Sequence, residues 1–474
     1  MKRRRRKIRE HTTERTRFPW WTSPNLLIVI SLLVVLYVIL AVDEEQYKHW
    51  ETPKYVTNVE GVETAGIIIA VLLGAIVGRV IGRKTQQDYL EETRRFLNTK
   101  LLTIVFYFFV LLTLIGYGIW IVKAAQSGAT TAALLATLQG DPGAISELKG
   151  VAQPSAGLTT LTQFGPIVVV LGVARERIAG KGSKIVVALV IALSLLRFFF
   201  YAERIAFLEV VVPWVVLLAA FWPRKVRFHR TRSVIIGVAP VVMGALVFGL
   251  FALGEYFRSW TFVREETGQS FASFITSRFI SYYATATNNG VLYGRLAAEH
   301  NLNHNIFYMF YNLPGSPFGN DSVAGADFDK WWGLQLELFA NPSLTNTGTI
   351  FPLIGEITLA PVIVLFFILA LTSSVLYFKA KHGHLISILV VPILCFAALE
   401  LPRISYLLLG RCVPIFLGIF IVWFLFDIWR ALGRGQEIKE PEPPSAAMPN
   451  VTQESLPSRY KVAVHPTRTM QRNV

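Results

Sequence analysis

"LSLLRFFFYAERIAFLEVVV", residues 193–212, reads as the middle of a membrane segment, yet Arg197, Glu203 and Arg204 fall inside it within eight positions. The apolar run that contains it extends from Ile185 to Trp222. As a single helix those 38 residues would be about 57 Å long, well beyond the roughly 30 Å hydrocarbon core of a bilayer. The run therefore predicts two helices that turn at the charged residues. Where the local backbone stays helical, Arg197, Tyr201 and Arg204 (spaced i, i+4, i+7) share a face.

The composition is that of a polytopic, all-α membrane protein. Of 474 residues 53% are apolar, 13% aromatic and only 16% charged, and the mean hydropathy is +0.47; soluble domains carry about a quarter charged residues. Spans are expected near 26–42, 64–82, 101–122, 163–175, 185–201, 205–222, 233–254, 350–378, 385–401 and 412–428. The formal charge of +15 then becomes a question of topology rather than of nucleic-acid binding. The segments "RKTQQDYLEETRRFLNTK" (83–100), "RERIAGKGSK" (175–184), "PRKVRFHRTR" (223–232) and "KAKHGH" (379–384) are basic, and alternate with balanced or acidic ones: 43–61, the stretch after Ile121, the turns near 202 and 402–411, and 255–349. The positive-inside rule places the first group and both termini in the cytoplasm.

The expected organisation is a basic cytoplasmic N-terminus (1–25), seven spans (26–254), one large extracytoplasmic segment (255–349), three spans (350–430) and a disordered, Pro-rich cytoplasmic tail (431–474). In 255–349, aromatic clusters separated by Gly, Pro and Asn predict short helices lying against the bilayer surface. "MKRRRRKIRE" before the first apolar run has the charge order of a signal peptide, but no small-x-small site precedes Asp43, so an uncleaved span is expected. Cys395 and Cys412 lie within apolar runs and read as packing residues.

Arginines at membrane depth are costly and mark functional candidates. Two readings of the opening stretch are open. Arg197 pairs with Glu203 while Arg204 snorkels to the headgroups; or the arginines form a phosphate clamp, since guanidinium groups bind phosphate oxygens bidentately and stay charged. "ELPRISYLLLGR" brings Arg403 and Arg411 to a second outward turn. Asp43, Glu44 and Glu45 after the first span either ligate a divalent ion or are a solvated helix end. His300 and His304 are spaced i, i+4 without a third ligand, so no metal site is expected; His304 is either a general base or a surface histidine. Tyr282, Tyr283, Asn288 and Asn289 offer stacking faces and hydrogen-bonding groups suited to a sugar, or form an interfacial belt. No G-x-S-x-G, P-loop or C-x-x-C motif is present.

Four stretches, "GLTTLTQFGPIVVVLG" (157–172), "LRFFFYAERIAFLEVVVP" (196–213), "SRFISYYATATNNG" (277–290) and "NPSLTNTGTIFPLIGEI" (341–357) followed by "LPRISYLLLGRCVP", together resemble the Wzy-type oligosaccharide repeat unit polymerases, themselves similar to O-antigen ligases. The resemblance implies a membrane enzyme with no cofactor or metal, joining undecaprenyl-diphosphate-linked oligosaccharides on the outer face of the plasma membrane. A chain-length regulator and a flippase are its implied partners, and nucleic acid is not one. On this footing Arg197 and Arg204 hold the diphosphate, Arg278 and Arg403 hold the diphosphate or the adjacent sugar, and Tyr282, Tyr283, Asn288, Asn289 and Arg411 complete the substrate contacts. Glu203 and His304 are the candidate bases. The alternatives are a polyprenyl-phosphate-sugar glycosyltransferase using Asp43-Glu44-Glu45, and a lipid-linked oligosaccharide flippase or other transporter; charge gathered near the outer ends of the spans, rather than at their midplane, favours surface chemistry over transport.

Overall fold

The computed structural model describes residues 18–84, 87–130, 158–201, 204–222, 229–256, 268–302 and 328–437, with isolated positions between 132 and 306. The described residues are helical, and the one β-type contact among them is an isolated bridge between Gly348 and Ile404. The helices are α1 (Pro24–Ala41), α2 (Glu44–His49), α3 (Asn58–Lys84), α4 (Leu90–Leu97), α5 (Lys100–Gln126), α6 (Gly165–Ala179), α7 (Lys184–Tyr201), α8 (Arg204–Ala220) and α9 (His229–Glu255). They continue with α10 (Phe271–His300), α11 (Phe328–Phe339), α12 (Ile350–Ile357), α13 (Leu359–Lys381), α14 (Leu385–Glu400) and α15 (Cys412–Glu437). The chain divides into a unit reaching Asp427 and a second, from Ile428 to Val474, whose described part is the continuing helix.

Among the described residues six helices are long and apolar enough to cross a membrane: 24–41, 58–84, 100–126, 237–255, 359–381 and 412–433. Ile69, Leu72, Leu73, Ile104, Phe108 and Leu111 on these helices are exposed. An apolar exterior of this extent belongs in lipid. The remaining expected spans, α6, α7, α8 and α14, are 15, 18, 17 and 16 residues long. α14 is apolar all round because it is packed all round, against α1, α6, α8 and α13.

The run 185–222 does turn at its charges: α7 ends at Tyr201 and α8 begins at Arg204. Two other expectations are corrected. The span expected at 350–378 is two helices, α12 and α13, broken at Thr358, whose φ of 66° no helix accommodates. Residues 271–300, expected to form short surface helices, are one 30-residue helix, buried over most of 284–294. "NNG" reads as a turn in isolation; here the asparagines are bonded by other segments and Gly290 and Gly294 let α12 approach, so that a Cβ on Gly290 would run into the Thr347 carbonyl.

Small residues also join the most extensively packed pair, α3 and α13. Gly74, Gly78 and Gly82 recur every fourth position and place the two backbones in contact, as small residues do between helices in lipid. A Cβ on Gly78 would meet the Leu371 carbonyl and lie 2.7 Å from the Ser374 Cβ, whereas at Gly237 on α9 nothing lies within 4 Å. Gly78→Leu is therefore expected to cost at least about 1–3 kcal/mol through overpacking, read as a lowered unfolding temperature in detergent. Gly237→Leu is expected to leave that temperature near wild type.

Hydrogen bonds tie the interhelical segments into the same two groups that the charge pattern defines. Tyr89 N–H donates to the His382 carbonyl at 2.9 Å, Thr93 Oγ1 to the Gly383 carbonyl at 2.7 Å and Arg94 Nε to the Ile178 carbonyl at 3.1 Å, joining members of the basic group. In the other group Asn288 Oδ1 accepts from Tyr55 N–H at 2.6 Å, Asn341 Nδ2 donates to the Trp50 carbonyl at 3.2 Å, and Thr349 Oγ1 donates to the Leu401 carbonyl at 2.8 Å.

Candidate functional site

Three of the charged groups at helix ends of the wrong polarity belong to one cluster. Arg204 is the first residue of α8, Glu255 the last of α9 and Glu400 the last of α14. Each meets the helix macrodipole unfavourably. They are held by one another and by two further arginines. Arg204 Nη2 donates to Glu255 Oε1 in a close ion pair, and Arg278 Nε lies 3.6 Å from the other oxygen of the same carboxylate. Arg403 embraces Glu400 through Nε at 2.7 Å and Nη2 at 2.5 Å.

Tyr282 links the two pairs. Its ring centroid lies 5.5 Å from the Arg204 Cζ and 5.7 Å from the Arg403 Cζ, and Arg204 also stacks on Phe251 at 4.4 Å. Both guanidinium groups thus rest on aromatic faces, which stabilise charge away from water. Burial works against the charge of Arg403, but Glu400 and Tyr282 outweigh it and raise its pKa above the ordinary value. Burial, reinforced by Glu400, pushes the Tyr283 phenol up to about 12, so the hydroxyl keeps its proton and remains a donor.

Between these groups lies a narrow cleft with about 60 Å³ of water-sized space, part of it open to the exterior. Arg204, Arg403, Glu400, Tyr282 and Tyr283 supply its polar wall, with Phe198, Phe251 and Phe279 among its apolar residues. Arg278 stands behind it, on Glu255. Arg204 Nη1 and Arg278 Nε are buried and make no hydrogen bond among the described residues.

No protein-family model, curated protein or solved structure matches this chain. The site is therefore read from its own geometry.

That geometry divides the residues expected to act together. Arg204, Arg278, Arg403, Tyr282 and Tyr283 converge. Arg197 does not share a helix face with Arg204, because the two lie on successive helices; it is buried and donates from Nη1 to Thr162 Oγ1 at 2.7 Å. Arg411 is engaged elsewhere, in a two-pronged pair with Glu209 at 3.0 and 3.1 Å, to which Tyr406 also donates at 3.2 Å. Asn288 and Asn289 are withdrawn from glycan contact by burial. Asn288 donates to the Pro53 carbonyl at 2.8 Å besides binding Tyr55, and Asn289 donates to the Leu344 carbonyl at 2.5 Å. Glu203 and His304 lie outside the described residues.

The acidic triplet resolves as a helix end: Asp43 caps α2, accepting from Gln46 N–H at 2.8 Å, and Glu44 pairs with Lys48 at 3.1 Å. Among the described residues no group of three or more His, Cys, Asp or Glu is arranged to hold a metal. Both cysteines are buried, as expected of packing residues.

Sequence reasoning missed the acids. Glu209, Glu255 and Glu400 each interrupt or end an apolar run ("FLEVVV", "FALGEYF", "AALELPR"). The rule that singled out the arginines, that an ionisable group at membrane depth needs a partner, applies equally to them.

Proposed function

We propose that the chain is a polymerase of lipid-linked oligosaccharide repeat units, with this cleft as the seat of the diphosphate. The observation that carries the reading is the convergence of Arg204 and Arg403 on one aromatic ring, Tyr282, in the wall of a cleft, with Arg278 behind them. A diphosphate develops negative charge as it leaves, and donors already oriented toward it stabilise the transition state more than the ground state. The N-terminus of α8 opens at the same place and adds its positive end.

In this reading ten helices span the plasma membrane with both termini cytoplasmic, the basic interhelical group facing inward and the cleft outward. The terminal hydroxyl of an incoming unit attacks the anomeric carbon of the growing glycan. The new glycosidic C–O bond forms as the bond to the diphosphate breaks, and the electron pair leaves with polyprenyl diphosphate. Glu400, the carboxylate in the cleft wall, accepts the hydroxyl proton. Its neutralisation loosens its hold on Arg403 as charge appears on the leaving group.

Deletion of the protein is the direct test. The deleted strain is expected to carry its surface glycan as single repeat units, seen as collapse of the length ladder on a gel, with polymer restored by the wild-type chain. A normal ladder in the deleted strain would overturn the reading.

A further inference from the structure

A second cavity, of about 740 Å³, opens between α2 and the first turns of α10. Its size is that of a ligand pocket. Its chemistry contrasts with that of the cleft, for no lysine or arginine lines it. Glu45, Gln46 and His49 come from α2, and Thr276 and Ser277 from α10, with Trp50 between them. Asp43 also lines it, but its carboxylate is used in capping α2.

We infer that this trough binds the neutral, polyhydroxylated part of the substrate, a glycan. A sugar presents adjacent hydroxyls that need acceptors and donors together, and an apolar ring face that rests on an aromatic surface. The Glu45 carboxylate accepts, Gln46 and Ser277 both donate and accept, Thr276, whose hydroxyl donates to the Ala272 carbonyl at 2.8 Å, accepts, and Trp50 supplies an aromatic side chain. A phosphate would meet two carboxylates here and is disfavoured.

The trough is built as part of the fold. Tyr47 Oη donates to the Ala284 carbonyl at 3.3 Å and Trp50 Nε1 donates to Ser277 Oγ at 3.4 Å, so α2 is docked on α10. Ser273, Thr276, Ser277 and Ile280 form one stripe of α10, spaced i, i+3, i+4, i+7, and the same helix supplies Tyr282 and Tyr283 to the cleft. Ile280 of the trough and Tyr283 of the cleft are i, i+3 on α10, neighbours on one face and about 4.5 Å apart along the helix axis. A glycan anchored by its diphosphate in the cleft can therefore reach the trough with its sugars. The inference rests on the proposed polymerase reading and adds to it the place where the glycan is held.

The probe is a set of oligosaccharides released by partial acid hydrolysis from the cell's own surface polysaccharide, titrated by saturation-transfer NMR against the full-length protein in lipid nanodiscs. Glu45→Gln with Gln46→Ala, on the exposed face of α2, and Thr276→Val separately, are expected to weaken binding at least tenfold while undecaprenyl diphosphate still binds as to wild type. Absence of fragment binding to the wild-type protein, or unchanged binding to both variants, would overturn the inference even if the deleted strain is arrested at single units. If the fragments bind and the variants weaken them, yet the deleted strain keeps a normal glycan ladder, the trough stands as a carbohydrate site and the polymerase reading falls.

Discussion

Arg204→Ala is expected to lower chain elongation by at least about 100-fold, the usual cost of removing one preorganised donor from a developing negative charge. The effect reaches further than a surface arginine's would, because Arg204 lies in the cleft wall, stacks on Phe251 and Tyr282, and pairs with Glu255. Its removal also takes the close partner from Glu255, with Arg278 remaining 3.6 Å away. Arg204→Lys should be impaired as well: an ammonium is a point charge and cannot stack while donating in two directions. Glu400→Gln keeps the shape of the wall but cannot take a proton, and elongation should fall by about 10²-fold or more. Complementation of the deleted strain, with membrane content of each variant measured by immunoblot, reads all three. A full-length glycan ladder from Arg204→Ala at normal protein level would remove Arg204 from the mechanism.

Glu209→Ala is expected to cost about 3–5 kcal/mol of stability, the loss that follows when one partner of a buried ion pair is removed and the other stays behind unpaired. The Arg411 and Glu209 side chains are only 12% and 5% exposed, and the same carboxylate also accepts from Tyr406. The pair fastens α8 to the turn ahead of α15, across 202 residues of chain. The double variant Glu209→Leu with Arg411→Met should recover part of the loss, since replacing both charges by apolar groups strands no charge, although the buried Tyr406 hydroxyl loses Glu209 as its acceptor. Thermal unfolding in detergent distinguishes the outcomes. An additive double variant would mean that the two side chains do not interact energetically. The contrast with Arg204 is useful: Arg411 variants act through stability, and elongation per folded molecule should be little changed.

The legible part of this protein is the part written in local pattern. The run 185–222 is too long to cross a bilayer once, and its turn at Tyr201–Arg204 follows from length alone. Likewise, the alternation of basic and balanced segments sorts them into two groups, and the hydrogen bonds found between them respect that sorting. Local pattern misled where tertiary contacts override it. "NNG" at 288–290 has the composition of a turn, yet it lies within α10, where Tyr55 and Pro53 bond the Asn288 side chain and Leu344 accepts from Asn289 Nδ2. The apolar run 350–378 reads as one span, but Thr358 breaks it so that α12 can pack against the glycines of α10.

By itself the sequence determined the class of protein, a helical chain apolar inside and out, and the residue types that matter, arginines where lipid makes charge expensive. Hydropathy, run length and charge asymmetry are properties of single segments and survive without any contact. Only the tertiary structure decided which charges meet. Arg204 finds Glu255 51 residues away, while Arg197, seven positions from Arg204, finds Thr162 instead. Arg411, eight positions from Arg403, is turned to Glu209 on α8 and not to the cleft. A buried charge is stabilised by whatever opposite charge or dipole the packing brings within a few ångströms, and that neighbour is set by how helices stack rather than by their order along the chain.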